Sequence, residues 1–338
     1  MIVEMRTGAT REEVDDVLAK AKSLELGVQL NIGTDKTVVA ILGSNTGQIP
    51  TDVFAVLPGV ESVTRIMKPY KLASREFQQR DTLVDCSGVK IGGERIVIMA
   101  GPCAVESEGQ LMQAAEAVKK AGATILRGGA FKPRTSPFSF QGLQKKGLEL
   151  LAGVREQFGM PVVTEVVNPQ DVKLVSAYAD ILQIGSRNMQ NFALLTAAGK
   201  SGRPVVLKRG FSCTITEWLT AADYLLAEGE NQVVLCERGI RTFEDSIRFS
   251  LDISAVPVVK RNSHLPVIVD PSHAAGHYSL VPAIARAAVA AGADGLLIEV
   301  HPNPKEALVD GLQSLSLSDF SRLMEELRAI ARSVGRYI

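Results

Sequence analysis

Long apolar runs are missing from this 338-residue sequence. None approaches the roughly 20 residues a membrane-spanning helix needs, so a membrane protein is not expected. Net charge is missing too. Lys plus Arg and Asp plus Glu both number 37, so no global field draws the chain to nucleic acid or a membrane surface, and any cationic site must be local. Cysteine is scarce and scattered. Cys86, Cys103, Cys213 and Cys236 form no CxxC pair, which excludes a disulfide framework and points to a reducing cytoplasm. The opening "MIVEMRTGATREEV" turns polar too early for a signal peptide, in line with a cytoplasmic location. No GxGxxG fingerprint is present, so a dinucleotide-binding open sheet loses its main sequence signal. There is no low-complexity segment.

What is present is an ordinary globular mix, 46% apolar and 22% charged, long enough for one large domain and one small one. Residues 1–70 read as a small α/β domain. "IVEM", "VQLNI", "TVVAILG" and "ESVTRIM" are strand-like. Thr10 and Glu13 have capping-box spacing before a helix whose apolar face is Val14, Val17, Leu18, Ala21 and Leu24, with Gly27 able to end it. With "TDVFAVL" as a second short helix, the order is βαββαβ, the ferredoxin-like pattern. "KPYKLASREFQQRDT" reads as a polar linker, and residues 71–94 as linker plus a short hairpin. Residues 95–338 alternate strand and helix. The strands are "RIVIMAG", "ATILRGG", "PVVTEV", "ILQIGS", "PVVLKRG", "QVVLCERG", "LPVIVDPSH" and "GLLIEVHP". They are apolar on both faces, as parallel strands covered by helices must be. This predicts a (β/α)8 TIM barrel, with a doubly wound open sheet as the alternative.

Active sites of such barrels lie at the C-terminal ends of the strands. The residues after the apolar runs are Cys103, Arg127, Glu165, Arg187, Lys208, Arg238, His273 and Glu299, all able to bind an anion, a metal or a proton. One group is cationic: Arg127, Lys132, Arg134, Arg187, Lys208, Arg209 and Arg238. Such a group facing one mouth calls for a ligand with more than one anionic group, since guanidinium forks match phosphate and carboxylate oxygens. Arg209, beside Lys208, is the member best explained as pointing elsewhere. The second group is Cys103, His273, Glu299 and Asp310, donors of mixed softness for a divalent metal. Each also has a structural reading, Cys103 as a small buried hydrophobe and Asp310 as a turn residue. His277, His301 and, more weakly, His264 are rival ligands.

The stretches "AGPCAVES", "LRGGAFKPRTSPFSFQG", "QIGSRNMQN", "VVLKRGF", "LCERGIRTF", "VDPSHAAG" and "IEVHPNPKEALVDGLQSL" together resemble the motifs of 3-deoxy-D-arabino-heptulosonate 7-phosphate (DAHP) synthase. The form resembled is the short microbial type, some members of which carry an N-terminal ferredoxin-like or ACT-like regulatory domain. The resemblance implies a metal-dependent transferase that condenses phosphoenolpyruvate with erythrose 4-phosphate. It implies Cys103, His273, Glu299 and Asp310 as ligands of one divalent ion. Arg127, Lys132, Arg187, Lys208 and Arg238 are implied for phosphoenolpyruvate, and Lys132, Pro133, Arg134 and Thr135 for erythrose 4-phosphate. Glu165 would lie near the phosphoenolpyruvate and the reacting water, so that Lys132, Glu165 and His273 take the catalytic positions. A homotetramer and inhibition by an aromatic amino acid follow by the same analogy. The sister family, 3-deoxy-D-manno-octulosonate 8-phosphate synthase, typically has KANRSS where this chain has "KPRTSP". Less favoured alternatives are a Schiff-base aldolase using Lys208 and a non-catalytic sugar-phosphate sensor.

Overall fold

The computed structural model describes residues 1–33, 36–43, 45–65, 68–133, 136–228 and 232–338. These divide into two compact units, Met1–Arg80 with Asn262–His264, and Asp81–Arg261 with Leu265–Ile338. Among the described residues no helix is long and apolar enough to cross a membrane.

The first unit contains strands β1 (Ile2–Met5), β2 (Gly27–Ile32), β3 (Thr37–Leu42) and β4 (Val60–Thr64), in the antiparallel sheet order β2-β3-β1-β4. Helices Arg11–Ser23 and Asp52–Ala55 supply the βαββαβ order. Val3, Met5, Val39 and Ile41 of the sheet share one buried core with Val17, Ala21 and Phe54 of the helices. The capping box forms as its spacing predicts: the Thr10 side chain accepts from the Glu13 amide, and the Glu13 carboxylate from the Thr10 amide. The helix stops earlier than expected. The Glu25 amide bonds to Lys22 O and the Leu26 amide to Ala21 O, a Schellman motif with Glu25 at positive φ. Leu26 is thereby buried, and Gly27 opens β2 instead of ending the helix.

The stretch read as a polar linker is packed. Tyr70, Leu72, Ala73 and Phe77 are buried, and the His264 Nε2 atom lies 2.7 Å from Leu72 O. Apolar side chains spaced among the charges were enough to order it, and polar composition concealed them.

The second unit starts with a hairpin, β5 (Val84–Cys86) and β6 (Val89–Ile91). A closed parallel barrel follows: β7 (Val97–Gly101), β8 (Ile125–Arg127), β9 (Val162–Glu165), β10 (Ile181–Ile184), β11 (Val205–Lys208), β12 (Val233–Glu237), β13 (Val267–Val269) and β14 (Gly295–Glu299). β14 closes on β7 from Gly295↔Val97 to Glu299↔Gly101. Helices such as Glu108–Ala121, Lys145–Phe158 and Val281–Ala290 cover the outside. The apolar plug holds Val97, Met99, Ile125, Val163, Ile181, Val206, Val234, Ile268 and Leu297 with Val84, Cys86 and Ile91 of the hairpin. Early strand positions thus fill the lumen with hydrocarbon. Polar side chains are left to the C-terminal ends, where loops can hold them.

Candidate active site

Arg127, Glu165, Lys208 and Glu299 are the last residues of β8, β9, β11 and β14. Cys103 lies two residues past β7, Arg187 sits in the 3-10 turn Ser186–Asn188, and Arg238 directly follows β12. His273 lies in the short helix Pro271–Ala275 after β13, N-capped by Asp270. Asp310 precedes the turn Gly311–Gln313 and has positive φ. Ring closure brings these ends together around a mouth cavity of ≈ 270 Å³. Arg127, Lys132, Pro133, Glu165, Arg187, Lys208, Arg238, His273 and Asp310 all line it. Arg134 and Thr135 lie outside the described residues. Arg209 turns away: its guanidinium bonds Glu237 at 2.9 Å and Asp252 at 3.0 Å.

The four candidate ligands converge. Cys103, His273, Glu299 and Asp310 each offer one donor atom, all within 4.8 Å of one another. Cys103 Sγ is 3.4 Å from Asp310 Oδ2, and His273 Nε2 is 3.4 Å from Glu299 Oε1 and 3.8 Å from Asp310 Oδ2. Asp270 orients the imidazole. Its Oδ2 lies 2.7 Å from His273 Nδ1, a contact that places the proton on Nδ1 and frees the Nε2 lone pair for a cation. One thiol, one imidazole and two carboxylates suit a borderline divalent ion, so the residues present fit a metal.

Each of the four is also joined to a cation of the cavity. Lys132 Nζ lies 3.1 Å from Cys103 Sγ, Arg127 Nη1 2.5 Å from Glu299 Oε1, and Arg248 Nη1 3.2 Å from Asp310 Oδ1. His273 is joined to Lys208 through Asp270, whose Oδ2 also accepts from Lys208 Nζ at 2.5 Å. These pairings shape the ionisation. Burial pushes the Cys103 thiol up to about 12, and the Glu299 charge adds to that. Burial opposes ionisation of Glu299, but His273 and Arg127 beside it outweigh this and hold it well below the usual carboxylate range. Asp270 is lowered too, burial being outweighed by His273 and Lys208. Burial lowers His273, against the opposing pull of Asp270 and Glu299.

The rival histidines fall elsewhere. His264 is a buried residue satisfied by Leu72 O. His277 is exposed, and its ring bonds Ser279. His301 is buried with Nε2 3.3 Å from Glu106, and the Glu106 carboxylate also accepts from the Leu308 amide. Sequence reasoning missed Asp270, Gln183, Phe211, Arg241, Arg248, Phe249 and Gln313. Asp270 had a signal, since it is the first residue past the apolar "VIV" of β13. The others sit on loops or inside a strand, where no period or spacing marks them.

Residues 72–333 match the DAHP synthetase I family model, and residues 1–68 match the DAHP synthase ferredoxin-like domain. The chain is 49% identical over 335 residues to the phospho-2-dehydro-3-deoxyheptonate aldolase of Thermotoga maritima, covering 99% of each chain. The crystal structure of a DAHP synthase from Thermotoga maritima superposes with a TM-score of 0.79 at 48% identity, covering 99% of this chain and 98% of that one. A 2-dehydro-3-deoxyphosphooctonate aldolase of Nitratidesulfovibrio vulgaris is more distant, 35% identical over 70% of this chain and 92% of its own length.

Proposed function

The chain belongs to the DAHP synthetase I family, and from that premise we propose that it condenses phosphoenolpyruvate, erythrose 4-phosphate and water to DAHP and inorganic phosphate, the first step of the shikimate pathway. The observation that carries the reading is the cation-lined cavity opening directly onto the Cys103–His273–Glu299–Asp310 cluster. Two phosphates and a carboxylate supply the counter-charge that the cavity lacks.

In the proposed reaction, C3 of phosphoenolpyruvate bonds to the aldehyde carbon of the aldose, water adds at C2, and the C2–O bond to phosphate breaks. A divalent ion on the four-residue cluster, when bound, supplies Lewis acidity toward the aldehyde oxygen. Arg127, Arg187, Lys208 and Arg238 hold phosphoenolpyruvate, and Lys132, Pro133, Arg134 and Thr135 are assigned to erythrose 4-phosphate. Lys132 lies between the two regions, its ammonium 2.9 Å from Cys103 O and 3.1 Å from Cys103 Sγ, within reach of an oxygen placed at the cluster. It donates a proton to the aldehyde oxygen as the new bond forms. Glu165 lines the cavity with its carboxylate over Gly185, and we assign it to the water side of phosphoenolpyruvate. Fixed cations in a cavity walled by the barrel stabilise the departing phosphate without reorganising. The small unit acts as a regulatory domain binding an aromatic amino acid, in a cytoplasmic homotetramer. The test is phosphate release by the purified protein from phosphoenolpyruvate, with four- and five-carbon aldose phosphates compared, with and without chelator. Turnover with the four-carbon substrate, abolished by chelator and restored by a divalent metal, is expected. Preference for the five-carbon substrate would move the chain to the sister reaction, and full activity in chelator would remove the metal.

A further inference from the structure

The cavity cations are braced in two different ways. Arg127, Lys132, Lys208 and Arg248 each contact an acid or the Cys103 thiol. Arg238 does not. It is 3% exposed, yet among the described residues no carboxylate lies within ion-pair distance, and its side-chain hydrogen bond is a long 3.5 Å contact to the neighbouring Gly239 O. It is held instead by rings. Its guanidinium carbon lies 3.9 Å from the centroid of Phe249 and 4.9 Å from that of Phe211. The two rings stack on each other, centroids 5.0 Å apart and planes 8° from parallel. Arg187 and Arg241 also lie over Phe211, at 5.3 and 5.7 Å.

The surrounding backbone is built for this arrangement. The Phe249 amide bonds to Ala274 O in the His273 helix, and the Arg241 amide bonds to Phe211 O. Gly239 has φ +87, and a Cβ there would come 2.8 Å from the Cβ of Phe249, so only glycine lets that ring lie under Arg238. A buried guanidinium with a carboxylate partner shares its charge and donors between that partner and any ligand. One held on π faces is retained by the ring quadrupole and keeps its charge and donors for an incoming anion. Burial pulls the Arg238 pKa down to about 10, and the nearby Arg248 charge adds to that.

We propose that Phe211 and Phe249 are positioning residues of the anion site, an aromatic brace that fixes Arg238 without engaging its donors as a carboxylate would, and so sets affinity for the phosphate of phosphoenolpyruvate. The proposal rests on the functional reading above, and its test is arranged to separate the two. Phe249→Leu and Phe211→Leu keep apolar bulk but remove the π face, whereas Phe249→Tyr keeps it. Each is first checked for a folded-state Tm close to that of the parent. Inorganic phosphate binding is then titrated calorimetrically, which needs no turnover. KM for phosphoenolpyruvate is measured at saturating erythrose 4-phosphate, and the reverse. The Leu variants are expected to weaken phosphate binding and to raise KM for phosphoenolpyruvate by about tenfold, while KM for the aldose moves less than about twofold and Phe249→Tyr recovers most of the loss. Folded Leu variants that bind phosphate as the parent does would overturn the brace. So would a Tyr variant as weak as Leu, because the rings would then act by packing alone. A parent that binds phosphate but turns over no aldose phosphate would sink the functional reading and leave the phosphate titration to decide the brace.

Discussion

Asp270 shows how much one carboxylate can organise. Its Oδ1 accepts the His273 amide at 2.9 Å, and its Oδ2 meets both His273 Nδ1 and Lys208 Nζ. It therefore fixes the imidazole and a cation of the cavity at once. Asp270→Asn should weaken divalent-metal binding by about 10–100-fold, measured calorimetrically on metal-free protein. Parent-like affinity would show that His273 is oriented by other means. Gly185 makes a second residue-scale prediction. A Cβ there would meet Glu165 Oε1 at 2.0 Å, well inside contact distance. Gly185→Ala should displace that carboxylate and lower kcat by about 100-fold, as misplacement on the ångström scale does. If the alanine variant turns over normally, Glu165 has no positional demand in the reaction.

At the scale of elements, caps and periods carried most of the legible information. The helix Ile215–Leu226 repeats the Thr10–Glu13 device: Thr214 accepts from the Glu217 amide, and the Glu217 carboxylate accepts from the Thr214 amide. That backbone donor, with the Thr214 hydroxyl, holds Glu217 below the usual carboxylate range. A lowered carboxylate stabilises the fold above its unfolded pKa and loses that contribution as pH falls through the lowered value. Glu217→Gln should therefore lower Tm at neutral pH, with the gap to the parent closing as the solution is acidified. A gap that stays constant into acid would mean the charge is irrelevant to the cap. Thr214→Ala should cost about 1 kcal/mol, read by denaturant melts. Elements whose ends depend on a turn were harder to read. The Schellman turn at Glu25 carries no glycine, and so Gly27 drew the helix boundary to itself.

On the scale of the whole molecule, two family models cover residues 1–68 and 72–333, while the first compact unit runs on to Arg80 and takes in Asn262–His264. Deleting residues 1–70 should leave phosphate release intact and remove any inhibition by aromatic amino acids. A truncated enzyme that is still inhibited normally would place the effector site in the barrel. The amino-acid order alone determined the βαββαβ unit, the eight barrel strands and the chemically capable residues at their ends, because alternation, caps and apolar runs are local patterns read within a few residues. Only the tertiary structure decided which of those residues meet. Cys103 and Asp310 are 207 positions apart, and ring closure of β14 on β7 puts their side chains 3.4 Å from each other. Tertiary packing also turned Arg209 onto Glu237, set His264 against Leu72 O, and placed Arg238 over two phenylalanines from different loops. Such outcomes depend on which side chains compete for one small volume, and no spacing along the chain encodes that competition.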